Sequence, residues 1–222
     1  MKSYASIKSA EDFQVFINGL YLGSANKIDE LQVPAMRFLT IGGRGSPGSA
    51  DFQQAVQSLY GLIYSLKMGL KFSKLPRPKN YHEFKVPPLE GLWWQPGGTN
   101  LKNRATWRWR LMIMVPDYIN DYLVDRARGQ ALAKHPDAHY HLVRLESFYE
   151  GFSIQATHIG AYADEVRTIK SLTDYAKNHG LQINGKHHEI YMGDPRRTKP
   201  EKLKTLIRYP VRAKKVKLKT YA

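Results

Sequence analysis

Apolar positions along this chain recur at two spacings, and each spacing predicts an element. Phe52, Val56, Leu59, Ile63 and Leu66 fall three and four residues apart, which predicts a helix with one buried face. Ser49 is its N-cap and Pro76-Arg77-Pro78 the connector beyond it. A second helix is expected from Pro116-Asp117 through about Lys134, with Ile119, Leu123 and Ala127 on one side and His135-Pro136 as its stop. A third is expected from Asp164 to His179, with Val166, Ile169, Leu172 and Ala176 inward and Gly180 ending it. Short apolar or alternating runs predict strands at Met36–Ile41, Leu89–Trp94, Thr106–Val115, Gly151–Ile159, His187–Met192 and Leu203–Val211. Gly42-Gly43-Arg44-Gly45-Ser46-Pro47-Gly48 reads as a glycine-rich strand-to-helix turn, and Gly97-Gly98 as a second turn.

The order of these elements repeats. Thr40-Ile41-Gly42 and His158-Ile159-Gly160 occupy equivalent places, each ending a strand ahead of a long helix. The expected fold is therefore α+β, with duplicated strand–helix–strand–strand units covering about 31–135 and 140–212. Their strands combine into one antiparallel sheet, the long helices share one face, and a ligand cleft lies between those helices. Residues 1–30 show no clear pattern and are read as an N-terminal extension, and 213–222 as a basic tail.

Composition narrows the classes. A chain of 222 residues with 42% hydrophobic and 24% charged residues has ordinary globular make-up. Without cysteine there can be no disulfide and no thiolate metal site, which suits a reducing cytoplasm. No signal-type segment or membrane-spanning run is visible, so a cytoplasmic protein is expected. The net charge of +15 favours polyanions in general. Much of it lies in Lys67–Lys85 and in the tail from Arg208, where a solvated surface is the simpler reading. Nucleic acid is accordingly a less favoured partner.

Candidate chemistry centres on one acid and many rings. Glu189 sits mid-strand with Tyr191 two residues on, so both share a face. A carboxylate among aromatic rings is costly to bury unless it is paired or used, whereas on a solvent face it would be unexceptional; the residues alone leave both readings open. Alternation puts Leu92 and Trp94 on one strand face and Trp93 on the other, and Trp107 with Trp109 on one face of the next strand. Tyr60 and Tyr64 lie four apart on the first helix. His187 and His188 point to opposite sides and cannot readily share a metal ion, so neither a metal nor a cofactor is expected. Phosphate-loop and nucleophile-elbow motifs are absent.

Several segments carry a family resemblance. Val86-Pro87-Pro88-Leu89-Glu90-Gly91-Leu92-Trp93-Trp94, Leu59-Tyr60-Gly61-Leu62-Ile63-Tyr64 and His158-Ile159-Gly160-Ala161-Tyr162-Ala163-Asp164-Glu165 are three of them. The most specific is KHHEIYMGDPRRTKPEKLKT, Lys186 to Thr205, followed by Arg208-Tyr209-Pro210-Val211. Over about Leu31 to Arg212 the chain resembles stand-alone GyrI-like proteins. The resemblance implies a duplicated fold with a ligand cleft, a strand acid facing that cleft at Glu189, and Tyr191 beside it. It also implies a subfamily that hydrolyses the cyclopropane ring of DNA-alkylating compounds, with Glu189 and Tyr191 as the catalytic pair. Trp94, Trp109, Tyr60 and Tyr64, together with Tyr191, are then the expected ligand cage. The resemblance favours a small molecule as partner; the alternative is a protein that binds or senses hydrophobic or cationic drugs without turnover, or, less favoured, one that contacts gyrase or nucleic acid. A DNA-reading module is not expected, since only about 30 residues precede the matched region. In relatives the first strand is followed by Gly-Asp-Pro, but here by Gly45-Ser46-Pro47, which removes an acid.

Overall fold

The computed structural model describes residues 3–25, 27–96 and 106–214. The Gly97-Gly98 turn and the lysines beyond Lys214 lie outside the described residues. The strands are β1 (Asp29–Val33), β2 (Met36–Arg44), β3 (Leu89–Trp94), β4 (Arg108–Met114), β5 (Arg144–Phe148), β6 (Gly151–Ile159), β7 (Leu181–Ile183), β8 (His187–Tyr191) and β9 (Lys204–Ala213). The helices are α1 (Ala10–Tyr21), α2 (Ala50–Lys71), α3 (Asp121–Leu132) and α4 (Val166–Asn178).

The strand order is β1-β6-β9-β8-β3-β4-β2-β5, with β7 added beside β9 and every pairing antiparallel. Its centre is the β8–β3 pair, where one unit (β6, α4, β8, β9) meets the other (β2, α2, β3, β4). Tyr209 and Ile207 of β9 and Trp93 and Trp109 of β3 and β4 turn to the face that carries α4 and α2. Both long helices therefore share one face, as the duplicated pattern predicts.

The links between strands dictate the sheet's shape. β1 and β2 are joined by Pro34-Ala35 alone, and β5 and β6 by Tyr149-Glu150 alone, yet each link connects opposite ends of the strand order. Three Cα steps reach at most about 11 Å, whereas eight flat strands would spread over about 34 Å. The sheet must roll up until its ends meet. It curls away from α2 and α4, bringing Phe148 to 6.4 Å from the ring of His188 on the central strand.

The N-terminal segment fills the inside of that curl. Ser9 caps α1 by accepting from the Asp12 amide, and Phe13, Phe16, Ile17, Leu20 and Tyr21 are buried at helical spacing. The acids of its first turn, Glu11 and Asp12, complement the helix dipole. α1 thus lies across the sheet from the two long helices.

Three sequence expectations need correction. Gly42-Gly43-Arg44 is not a turn but the end of β2: a Cβ on Gly43 would lie 2.2 Å from the Trp109 ring, so glycine there makes room for an indole. The α3 helix begins at Asp121, not Pro116, because the Asn120 side chain accepts from the Leu123 amide and sets the first turn there. Val166 is 70% exposed, and the buried stripe of α4 runs through Glu165, Ile169, Leu172 and Ala176 instead. Strands β1, β5 and β7 and helix α1 have no counterpart in the sequence reading.

Candidate active site

Strand alternation sends His187, Glu189 and Tyr191 toward α2 and α4. Glu189 accepts from the Tyr191 hydroxyl at 2.8 Å through Oε2, while its Oε1 lies 2.8 Å from His187 Nε2. Behind them, His187 Nδ1 meets the Tyr209 hydroxyl at 2.7 Å, and Trp93 Nε1 donates to Tyr191 at 3.0 Å. The carboxylate is thereby held on both oxygens by side chains that are themselves held. Gly91 sits opposite Glu189 in the ladder, and a Cβ on it would lie 2.8 Å from Trp93 Nε1. Its missing side chain is what lets the indole reach Tyr191.

A second acid enters from the helix of the same unit. Glu165, at the start of α4, is 5% exposed, and its Oε1 has no hydrogen-bond partner. Ligand atoms of Glu165, His187 and Glu189 all lie within 4.8 Å of one another. Burial, followed by the nearby charge of Glu189, pushes the Glu165 carboxyl up to about 9. It therefore keeps its proton at neutral pH, beside a second carboxyl group. Burial and Glu189 also drive the Tyr191 hydroxyl far above its ordinary range, so it stays a donor. For Tyr162 the same two influences, with Glu165, push the hydroxyl up to about 12.

Rings enclose this cluster. Phe52 of α2 stacks on Trp93 with centroids 5.6 Å apart and meets Trp109 edge-on at 5.3 Å. Trp107 abuts Trp93 at 5.5 Å, and Tyr162 meets Tyr191 edge-on at 6.0 Å. An acid–base pair inside an aromatic wall can hold a flat guest and move protons at its edge.

The structure brings together Glu189, Tyr191 and, through Phe52 and Trp93, Trp109. It does not bring Trp94 to them: the β3–β8 register pairs Trp93 with His187, so Trp94 points into the curl, its ring under Lys186 Nζ at 3.7 Å. Trp93 takes the place assigned to Trp94. Tyr60 and Tyr64 stack on each other at 6.3 Å on the flank of α2, the first half-buried near Asp194 and the second 50% exposed. Glu165, Phe52, Tyr162 and Tyr209 are not among the expected site residues, and His187 is weighed there only as half of a metal pair. For Glu165 a signal existed: 165, 169, 172 and 176 form a helical stripe, and an acid on it must be buried.

A rolled, duplicated α+β sheet with a buried acid pair beneath aromatic rings defines a small-molecule-binding domain. The chain belongs to the GyrI-like small molecule binding domain family, whose family model matches residues 26–212. It is similar to an uncharacterized conserved protein from Listeria innocua, at 37% identity and a TM-score of 0.83, over 90% of this chain and 98% of that one. A hydrolase from Listeria innocua is similar at 35% identity and a TM-score of 0.80, with the same coverage of 90% and 98%. The EcmrR C-terminal domain shares the fold at 9% identity, with a TM-score of 0.56 over 84% of this chain and 98% of that one. No curated protein matches the chain. Among the described residues no helix is long and apolar enough to cross a membrane.

Proposed function

We propose that this protein is a hydrolase that opens a strained, electrophilic cyclopropane ring on a flat, apolar xenobiotic, and so detoxifies DNA-alkylating compounds in the cytoplasm. The observation that carries the reading is the Glu165–Glu189 pair, in which one carboxyl is buried with its proton and the other is held by Tyr191 and His187. Similar proteins named as hydrolases, from Listeria innocua at 35% and 36% identity, support it.

The step adds one water. Glu189 takes a proton from water as its oxygen bonds to the ring carbon. The carbon–carbon bond of the ring breaks, and its electron pair passes to the conjugated acceptor of the substrate. That acceptor then takes the proton held by Glu165. Tyr191 orients Glu189, and Trp93, Trp109 and Phe52 form the wall against which the guest stacks. No covalent nucleophile and no cofactor are required. Since Phe52 packs directly on Trp93, the guest enters by displacing that ring.

The test is incubation with a cyclopropane-bearing alkylator, followed by mass spectrometry. The wild type is expected to yield a product heavier by one water, and Glu189→Gln to slow it by about 10²–10⁴-fold. Intact substrate with the wild type would reject hydrolysis. Saturable quenching of tryptophan fluorescence without turnover would instead support a drug-sequestering protein, the reading that an acid among rings also suits.

A further inference from the structure

The geometry points to a divalent-cation site formed by Glu165, His187 and Glu189, of the two-carboxylate, one-imidazole type that accepts zinc or cobalt. His187 and His188 were set aside as a metal pair because they face opposite ways, and they do. The third ligand, Glu165, comes from the start of α4, which packs on the face toward which His187 and Glu189 point.

Four observations build the site. Ligand atoms of the three residues lie within 4.8 Å of one another. Tetrahedral zinc with bonds of about 2.0–2.2 Å needs its ligands about 3.4 Å apart, so a movement of about 1 Å closes the set. Glu165 Oε1 is buried with no hydrogen-bond partner and loses nothing by turning toward a cation. The outer contacts are those that metal ligands need: Tyr209 meets His187 at Nδ1 and leaves Nε2 facing the carboxylates, while Tyr191 donates to the far oxygen of Glu189. Finally, a dication would offset the charge of Glu189 and take the place of the proton that Glu165 holds. Three protein ligands leave a fourth position for water.

This inference rests on the geometry of the cluster and not on the hydrolysis reading, so metal binding is measured without substrate and hydrolysis in the presence of a chelator. The full chain, stripped of metal, is titrated with cobalt chloride and zinc chloride. One equivalent of cobalt is expected to give the visible absorption of a tetrahedral site, and one of zinc to raise Tm. Glu165→Gln is expected to weaken zinc at least 10-fold while preserving the fold, since it replaces an acid with its neutral isostere. Tyr209→Phe is expected to weaken it about 10–100-fold through the lost outer contact. The half-buried His139 and the exposed His141, with rings 5.8 Å apart, are the adventitious alternative. If His139→Ala/His141→Ala abolishes binding while Glu165→Gln leaves it unchanged, or if no cobalt band forms, the site does not exist. A chelated protein that still opens the substrate while failing to bind cobalt would overturn this inference and leave the hydrolase reading standing.

Discussion

Strand β8 carries a buried acidic cluster on each face, and the two are built differently. Inside the curl, His188 bridges Glu90 and Glu150 at 2.9 Å each, and Arg208 reaches Glu150 at 3.2 Å. Arg208 also donates to Gln155 at 2.8 Å and to the Leu20 carbonyl at 2.7 Å, and Tyr21 donates to Glu90. Two carboxylates thus meet two cations, and the surplus donors tie α1 to the sheet. Burial opposes the charge on His188, but Glu150 and Glu90 overrule it and lift the imidazole to about 9. Burial likewise opposes the Glu150 carboxylate, yet His188 and Arg208 hold it below its ordinary range. On the outer face, among the described residues, Glu165 and Glu189 gather round one imidazole, that of His187, and one Glu165 oxygen bonds to nothing. A balanced cluster is architecture; an unbalanced one keeps a proton on a buried carboxyl, the feature on which the proposed chemistry draws.

The largest effect is expected on the inner face. Arg208→Leu leaves Glu150 buried without its guanidinium and should cost about 3–5 kcal/mol, read from the urea midpoint. pH separates the faces next. Between about 6.5 and 9 the folded chain keeps protons on both His188 and Glu165, which the unfolded chain has lost. Stability should then fall as pH rises, by about 1.4 kcal/mol per pH unit for each group. Between 4.5 and 6.5 only Glu165 contributes such a slope. Glu165→Gln should halve the upper slope and abolish the lower one; an unchanged profile would mean that Glu165 is not the proton holder. In acid the sign reverses, because the lowered Glu150 carboxyl loses its contribution as pH falls below 4.5. At neutral pH the same Glu165→Gln change should stabilise the protein by about 1–3 kcal/mol while stopping turnover, the reverse of any inner-face substitution. The smallest effect is Tyr21→Phe, which removes one bond to Glu90 and should cost about 1 kcal/mol, with faster amide exchange in α1.

The sequence made the duplicated core legible because α2, α3 and their strands keep strict periods. Leu59, Ile63 and Leu66, and Ile119, Leu123 and Ala127, are buried as their spacing predicts. β1 and β5 stayed hidden because only one of the ten positions they contain is fully buried, which leaves little apolar pattern. α1 has that pattern, but Gly19 and scattered polar residues obscure it, and its buried face was recognisable only against the inside of a sheet whose curl arises from the links. Of the site, Glu189 and Tyr191 could be read from alternation on one strand. Choosing Trp93 over Trp94 required the β3–β8 register. The α4 stripe marks Glu165 as buried, but placing it beside Glu189 required the packing of α4 onto the sheet of its own unit, which local spacing does not encode.

The two-residue links at Pro34-Ala35 and Tyr149-Glu150 have a further consequence. Each repeat lends its leading strand to the other: β1 enters the chain beside β2 but pairs with β6, and β5 enters beside β6 but pairs with β2. The halves are therefore exchanged like clasped hands, and neither is complete alone. Severed between α3 and β5, the fragments would each expose a raw hydrogen-bonding margin, aggregate when kept apart, and regain a whole molecule only when mixed.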